Sequence, residues 1–380
     1  MTSHPGGARR PQVAAYWFGN WHIDPRMERW FGTGWTEWEL VRGGTPRFPG
    51  HHQPLLPSWG FTDDTDPAYM ARACAAAFDA GIDAFLVDWY WYDGPFLNRP
   101  LDEVLLRLDT PLSFALMWAN HDWQDVFPAP HGVPLKLLAP AVVDSAGFSQ
   151  VTQIVIDRYM SSSRYWRVDG AAYFSIFEID KLVDWLGGVD AARSAFDGFR
   201  ARAAAAGIGR LHLAAITTKF TPSGEGHRNL DALGIDSINH YNWSSQFGSD
   251  PIVPYRSWRQ SAEREWDTAA AAYPVPSAPN VSVGWDCTPR TPQSEPVRVE
   301  VWPYQPVVID NNPQELELAV RHALEWLAAR SEPSYLTINA WNEWTEGSVL
   351  EPNDRWGSAQ LEAVKRALAS RSESRLRVPH

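Results

Sequence analysis

The sequence predicts an α/β protein, a (β/α)8 TIM barrel that forms a single domain with long loops after its strands. Segments typical of strands and of helices alternate eight times along the 380 residues, which predicts a parallel sheet with helical crossovers. Polar and aromatic residues follow most of the predicted strands, and in such a barrel the strand ends share one face. An open dinucleotide-binding sheet would need a glycine fingerprint after its first strand, where this sequence has none.

The predicted strands are short apolar runs that end in polar residues. The run at 84–87 is continuously apolar, as expected for a strand buried on both faces. In chain order the predicted strands are 13–18, 84–87, 112–117, 172–177, 211–216, 235–238, 280–283 and 335–340.

Capping residues and apolar periodicity mark the predicted helices. Asp66 followed by Pro67 predicts the start of a helix that ends before Gly81, and Pro313 begins a strongly periodic helix. The predicted helices cover 67–80, 101–108, 148–160, 180–206, 258–272, 313–330 and 358–370. The segment from 19 to 64 lacks lasting periodicity, which predicts a long loop with a functional role.

A barrel domain over residues 12–372 is predicted, with a disordered tail at 1–11 and a C-terminal tail at 373–380. The first eleven residues contain no apolar stretch, so neither a signal peptide nor an anchor is predicted and a cytoplasmic location is expected. No apolar run reaches the length of a membrane span.

Charge and composition narrow the class of partner. A net charge of −12 argues against nucleic acid and against an anionic membrane surface. The 21 tryptophans exceed what a core requires, and indoles beside acids and amides are typical of platforms for sugar rings. The predicted partner is therefore an oligosaccharide or a polysaccharide.

The stretch from Leu336 to Pro352 carries the strongest chemical signal. It begins as a buried strand and continues into a loop in which Glu343 and Glu346 lie three residues apart. Two carboxylates in one pocket suggest cleavage of a glycosidic bond, with one as acid and the other as base or nucleophile. The alternative is a loop whose polar groups only satisfy its own backbone.

Residues after other strands extend this candidate site. Seven further residues are candidates for binding the sugar because they lie at the predicted strand ends. They are Asp88, Tyr90, Trp118, Asn120, Glu178, Tyr241 and Trp285. The acid of the pair must be protonated, so burial or its neighbour Glu343 should raise the pKa of Glu346, and the two should titrate as a pair.

No metal and no cofactor are predicted. The acids at 63–66 precede a helix, so N-capping is favoured over metal binding. The histidines lack the spacing of a zinc site, and the sequence has neither a serine-hydrolase elbow nor a phosphate-binding glycine loop.

The motifs together resemble the glycosyltransferase WbsX-like family, which is similar to glycoside hydrolase family 99, the endo-α-mannosidases. The resemblance rests most heavily on Asn-Ala-Trp-Asn-Glu-Trp-Thr-Glu-Gly at 339–347 with Leu-Glu-Pro at 350–352. Supporting motifs are Gly-Trp-Thr-Glu-Trp at 34–38, which includes Trp35, Gly-His-His-Gln-Pro at 50–54 and Trp-Ala-Asn at 118–120. These motifs extend over nearly the whole chain.

The resemblance implies a metal-free barrel and a retaining mechanism, in which Glu343 deprotonates the sugar's own 2-hydroxyl and Glu346 is the acid and base. The oxygen then closes onto C1 as a transient epoxide. The residues implied to line the sugar site are Tyr16, His51, Gln53, Trp118, Asn120 and Asn342. The chain departs from the family pattern at 121–124, His-Asp-Trp-Gln, which bears on the leaving-group side.

Three functions follow from these patterns. The first is a glycoside hydrolase acting on an α-linked, mannose-like sugar with a free 2-hydroxyl. The second is a glycosyltransferase of polysaccharide synthesis, which would need basic groups for a diphosphate, and these are sparse near the strand ends. The third is a carbohydrate-binding protein without turnover, which would not need two spaced glutamates.

Overall fold

A barrel of parallel strands forms the centre of the protein in a computed structural model that describes residues 10–374. In chain order the strands are β1 (Gln12–Trp17), β2 (Ala84–Trp91), β3 (Ser113–Trp118), β4 (Ala171–Ile176), β5 (Leu211–Thr217), β6 (Ser237–His240), β7 (Ser277–Ala278), β8 (Asn280–Ser282) and β9 (Tyr335–Asn339). Strands β1 to β6 pair in sequence order, and β9 pairs with β1, so the sheet returns to its start.

Pro279 divides the seventh strand position of the barrel into β7 and β8, and the strand predicted at 280–283 corresponds to β8 alone. Strand β7 pairs with β6, and β8 pairs with β9. The ladder is interrupted because proline has no N–H to donate. Hydrogen bonds continue on both sides, from the Ile238 N–H to the Pro276 carbonyl and from the Thr337 N–H to the Pro279 carbonyl. The nine segments occupy eight strand positions, which confirms the predicted (β/α)8 barrel.

Helices surround the barrel and connect its strands. They are α1 (Pro25–Phe31), α2 (Trp38–Gly43), α3 (Pro67–Asp79), α4 (Ser145–Ile154), α5 (Ile179–Leu186), α6 (Val189–Ala205), α7 (Glu225–Arg228), α8 (Tyr255–Ala272), α9 (Pro313–Ala328) and α10 (Ala359–Ser374). A π-helical segment, Val155–Met160, continues α4. The helix predicted at 101–108 is instead a π-helical turn, Pro100–Val104, followed by a 3-10 turn, Leu105–Arg107.

Two glycines break the helix predicted at 180–206. Gly187 ends α5 with φ of 95°, and Gly188 follows with φ of 103°. Both values lie in the region that residues with a Cβ rarely adopt, so the chain turns there and α6 begins as a separate helix.

The segment predicted as a loop at 19–64 contains α1 and α2. The Asp24 side chain caps α1 by accepting from the backbone N–H groups of Arg26 and Met27. Asp66 caps α3 in the same way, by accepting from the Ala68 N–H at 2.9 Å, which confirms the N-capping role predicted for it. The start of α1 carries the same Asp-Pro signal, which the sequence analysis did not use.

Tyrosines fill the interior of the barrel and find polar partners there. The Tyr173 hydroxyl donates to Asn239 Oδ1 at 3.2 Å, and Asn239 Nδ2 donates to the Tyr16 hydroxyl at 2.8 Å. The Tyr335 hydroxyl lies 2.8 Å from Ser237 Oγ. Buried phenols are stable in a core when their hydroxyls are hydrogen-bonded. This layer forms the floor beneath the strand ends.

Most of the two predicted tails, 1–11 and 373–380, lies outside the described residues. Within residues 10–374, every helix is too short or too polar to cross a lipid bilayer.

Candidate active site

A cavity of about 410 Å³ opens where the strands end. Each of the eight strand positions contributes to its lining through the end of the strand or the loop that follows. The residues that line it include Phe18 after β1, Asp88 and Tyr90 of β2, His121 after β3, Glu178 after β4, Thr218 after β5, Tyr241 after β6, Trp285 after β8, and Glu343 and Glu346 after β9.

Glu343 and Glu346 lie at the two ends of one tight turn. A two-residue strand, Asn342–Glu343, pairs with Ser348–Val349, and a 3-10 turn, Trp344–Glu346, connects them. Gly347 closes the turn with φ of 64°, and a Cβ there would lie 2.8 Å from Asp286 Cβ. The turn therefore requires glycine, and it presents both buried carboxylates to the same cavity.

Arg290 lies among three buried carboxylates. It was not predicted from the sequence as a residue of the site. Its Nη2 is 2.9 Å from Glu37 Oε1 and 3.6 Å from Glu343 Oε2, and its Nη1 is 3.9 Å from Glu346 Oε1. Its Nε donates to Thr345 Oγ1 at 2.8 Å. A buried carboxylate needs a compensating charge, and this single guanidinium serves all three.

Glu37 is the closest acidic partner of Arg290. The Glu37 side chain is fully buried and also accepts from Asn20 Nδ2 at 2.6 Å and from the Thr345 hydroxyl. The ion pair with Glu37 therefore fixes the position of the guanidinium relative to the cavity. Trp302 covers the guanidinium, with its ring centre 5.3 Å away.

Each glutamate has one protein donor and one unpaired oxygen. The Tyr241 hydroxyl lies 3.2 Å from Glu343 Oε1 and 3.1 Å from Asp88 Oδ2. One hydroxyl can donate to only one of these two carboxyl groups, so the arrangement favours a proton on the other. Glu346 Oε1 accepts from Trp302 Nε1 at 2.9 Å. Among the described residues, Oε2 of each glutamate has no hydrogen-bond partner, which leaves it for a ligand.

Burial sets the protonation of the pair. Burial raises the pKa of Glu343 well above the usual range, and the charge of Glu346 raises it further, while Arg290 lowers it. Burial also raises the pKa of Glu346, against the effects of Arg290 and of the Trp302 hydrogen bond. The predicted rise in the Glu346 pKa is confirmed in direction. Both carboxyl groups therefore favour the protonated form more than an exposed glutamate does.

Several predicted binding residues lie in the cavity wall. They are Asp88, Tyr90, Glu178, Tyr241 and Trp285. The strand-end pattern located these five residues because it depends only on where the strands stop.

Tyr16 and Trp118, which the resemblance implies to line the sugar site, do not line this cavity. Tyr16 lies in the barrel interior beneath Tyr241, with ring centres 4.8 Å apart. Trp118 packs outward against Phe148 of α4, with ring centres 6.2 Å apart. Side chains alternate along a strand, so the neighbours of Trp118 face inward while its indole faces the helices.

Asn120 and Asn342 also lie behind the wall, where they hold backbone in place. Asn120 exchanges two hydrogen bonds with the Glu178 backbone, at 2.8 and 3.1 Å. Asn342 exchanges two with the Phe18 backbone, both at 2.8 Å. Their amides are used by the protein itself and neither residue lines this cavity, although both fix residues that do.

Trp35, His51 and Gln53 are likewise displaced from the cavity. Trp35 packs behind Phe127, which lines the cavity, with ring centres 5.5 Å apart. His51 and Gln53 both bond to Asp286 and line a separate, smaller cavity.

Sequence reasoning missed much of one wall. The segment after Trp285 contributes Arg290, Trp302 and Gln305, and it has no periodicity that would have indicated its path. The 121–124 segment, where the chain departs from the family pattern, supplies His121, Asp122, Trp123 and Gln124 to the lining of the same cavity. Burial lowers the pKa of His121, which favours its neutral form.

Within residues 10–374, no three His, Cys, Asp or Glu side chains are grouped so as to hold a metal ion. Where three carboxylates do approach one another, the Arg290 guanidinium lies between them.

Residues 13–364 match the sequence model of a protein family described as "Glycosyltransferase WbsX". Two relatives from Xanthomonas campestris pv. campestris, of strains B100 and ATCC 33913, are both named uncharacterized protein WxcX and are 28% identical over 379 residues. The match covers 94% of this chain and 49% of either relative, so the chain spans about half the length of the curated relatives it matches.

Solved structures share the fold. A family 99 endo-α-mannosidase from Bacteroides thetaiotaomicron superposes with a TM-score of 0.54 at 16% identity, covering 96% of this chain and 98% of that one. A structure described as a glycoside hydrolase-like protein superposes with a TM-score of 0.62 at 15% identity, covering 97% of each chain. At these identities, the likeness shows that the barrel is common to all three.

Glu351 belongs to the Leu-Glu-Pro motif at 350–352, and its burial gives a testable dependence of stability on pH. Burial raises its pKa to about 8 from an ordinary 4.5, although the Tyr69 hydroxyl donates to it at 3.0 Å. The folded protein therefore holds this proton more tightly than the unfolded chain, so wild-type stability falls as pH rises from about 4.5 to about 8. Glu351→Gln removes that dependence, and its stability relative to wild type should rise by roughly 3–5 kcal/mol over this range.

Urea denaturation at several pH values measures this difference. Glu362→Gln, at an exposed position of α10, is the matched control for the effect of the substitution itself. A pH-independent difference for Glu351→Gln would mean that this carboxyl is not protonated in the folded protein.

Proposed function

The chain belongs to the WbsX glycosyltransferase family, and on this basis we propose that it is a glycoside hydrolase that cleaves an α-linked, mannose-like glycan with retention and without a metal ion. One observation carries the proposal. Glu343 and Glu346 are buried on one turn and have raised pKa values, and in each of them one oxygen that faces an aromatic cavity accepts no hydrogen bond from the described residues. Paired carboxyl groups of this kind are the usual catalysts of glycoside hydrolysis.

The cavity wall suits a carbohydrate. Its aromatic members include Tyr90, Trp123, Phe127, Trp285 and Trp302. The C–H faces of a sugar ring pack on such surfaces, while its hydroxyls need the polar groups that lie between them. A volume of about 410 Å³ falls in the range of pockets for small ligands.

In the proposed first step, Glu343 takes the proton of the sugar's 2-hydroxyl. The 2-oxygen attacks C1 and forms an epoxide as the bond from C1 to the leaving oxygen breaks. Glu346 gives its proton to that leaving oxygen. In the second step, Glu346 takes a proton from water, the water oxygen opens the epoxide at C1, and Glu343 returns its proton to the 2-oxygen. Two displacements at C1 leave its configuration unchanged.

The electrostatics of the site bear on these roles. Burial raises the pKa of both glutamates, whereas the base of the pair must be charged to take a proton. A bound 2-hydroxyl that donates to Glu343 favours its charged form and lowers its pKa. The Tyr241 hydroxyl and the Arg290 guanidinium act in the same direction. Substrate binding thus places the proton of the pair on Glu346.

The family description supports a second candidate, a glycosyltransferase. A nucleotide-sugar donor would need cations that are free to bind its diphosphate. The cavity contains Lys181 and Arg290, but Lys181 lies 3.3 Å from Glu178 and Arg290 lies 2.9 Å from Glu37. Because both cations already have acidic partners, the cavity suits a neutral glycan better than a diphosphate.

The two glutamates should differ in how they respond to the leaving group. Glu343→Gln should lower kcat/KM by about 100-fold or more on any glycoside, because every substrate needs the base. Glu346→Gln should lower it similarly on an oligosaccharide but much less on an aryl glycoside whose phenol leaves without protonation. Initial rates of each variant on a fluorogenic α-mannoside and on an α-linked mannose oligosaccharide measure these two effects. If either variant cleaved the oligosaccharide at a rate near that of wild type, the role proposed for the substituted glutamate would be refuted.

A substrate that lacks the 2-hydroxyl tests whether this group takes part in the reaction. A 2-deoxy α-glycoside should not be hydrolysed, because the attacking oxygen is missing, although it should still bind. Its inhibition constant against the parent glycoside checks binding, and chromatography checks cleavage. Turnover of the 2-deoxy compound at a rate near that of the parent would contradict participation of this hydroxyl.

Nucleotide binding separates the hydrolase from the transferase. Isothermal titration of wild-type protein with GDP-mannose and UDP-glucose should give no measurable heat of binding, because the cavity has no unpaired cation among the described residues. Binding in the micromolar range would favour the transferase.

A further inference from the structure

The Asp286 carboxylate is buried and accepts four hydrogen bonds. Its Oδ2 accepts from His51 Nε2 at 2.8 Å and from Gln53 Nε2 at 2.5 Å. Its Oδ1 accepts from the Thr288 backbone N–H at 3.0 Å and from the Thr288 hydroxyl at 2.7 Å. Burial alone would raise the pKa of Asp286, but the bonds from His51 and Gln53 lower it below the usual range, so the group is charged.

The orientation of His51 is fixed from its other side. Its Nδ1 accepts from the Arg47 backbone N–H at 3.0 Å, so Nε2 carries the ring proton and donates to Asp286. The ring also stacks on Phe48, with centres 4.5 Å apart. His51 therefore has no ring nitrogen left for a sugar.

Asp286 connects the two segments that carry the charged groups of the site. Its backbone N–H donates to the Glu346 carbonyl at 2.6 Å. Its side chain accepts from the backbone N–H of Thr288, the first residue of the 3-10 turn Thr288–Arg290, which carries the guanidinium. Gly347 lies against Asp286 so closely that a Cβ would have no room.

We propose that His51 and Gln53 are positioning residues that hold Asp286 and so fix Arg290 relative to Glu346. They act from behind the wall of the cavity and do not touch the substrate. The effect on catalysis rests on the proposed hydrolase function, whereas the effect on the Thr288–Arg290 turn does not. A displacement of about 1 Å in such a site is enough to cost a large factor in rate.

The next residue along the chain provides a matched control. His52 Nε2 lies 3.2 Å from Asp354 Oδ1, and both side chains are partly exposed. His51 and His52 are thus adjacent residues of the same type, and only the first bonds to Asp286.

Hydrogen–deuterium exchange of the full chain tests the positioning directly. In His51→Ala and Gln53→Ala, peptides that cover 285–291 should exchange on the order of tenfold faster, because the Asp286 and Thr288 N–H groups lose fixed acceptors. His52→Ala should match wild type. His51→Gln, which keeps a side-chain N–H, should lie between them and remains available if the alanine variants unfold.

Kinetics provide the second measurement. His51→Ala and Gln53→Ala should lower kcat on the order of tenfold with KM within about twofold of wild type, since the substrate contacts remain. Exchange at 285–291 equal to that of His52→Ala would overturn the proposal, whether or not the wild type hydrolyses any glycan. A raised KM with unchanged kcat would also overturn it, by showing direct contact with the sugar. If the exchange result holds while the wild type cleaves nothing, only the hydrolase proposal fails.

Discussion

The charge balance around Arg290 is the constraint on which the site depends. Glu37, Glu343 and Glu346 are all buried, and one guanidinium lies within 4 Å of each. Glu37 holds that guanidinium most closely, so the two glutamates of the turn receive only part of its charge. Burial raises the pKa of both glutamates while the guanidinium lowers it, and the balance of these effects sets their protonation.

The barrel supplies the geometry for this balance. Arg290 follows β8, Glu37 precedes α2, and the glutamate turn follows β9, so residues distant in sequence meet because parallel strands end on one face. Glu37 and Asn20 belong to the long segment after β1. That segment is therefore a structural part of the site, and its two short helices and their caps determine where Glu37 lies.

Sequence patterns predicted the barrel and the glutamate pair because both depend on local signals, namely strand–helix alternation and a motif of nine residues. Sequence patterns did not predict the side-chain positions that depend on tertiary contacts. Trp118 and Asn120 follow a strand end as predicted, yet side-chain alternation turns Trp118 outward and backbone pairing uses Asn120. Arg290 was missed because its role comes from three carboxylates that are distant along the chain. Gly187 could have been interpreted from the sequence as a break in the helix predicted at 180–206, since glycine is unfavourable within a helix.

The family description names a transferase, whereas the reaction proposed from the cavity is hydrolysis. The most direct test is digestion of a panel of α-linked mannose-containing oligosaccharides, with proton NMR recording the anomeric configuration of the first product formed. Release of a product that initially has the α configuration is expected. An initial β product, or no cleavage of any glycan by protein whose fold is intact, would contradict the account.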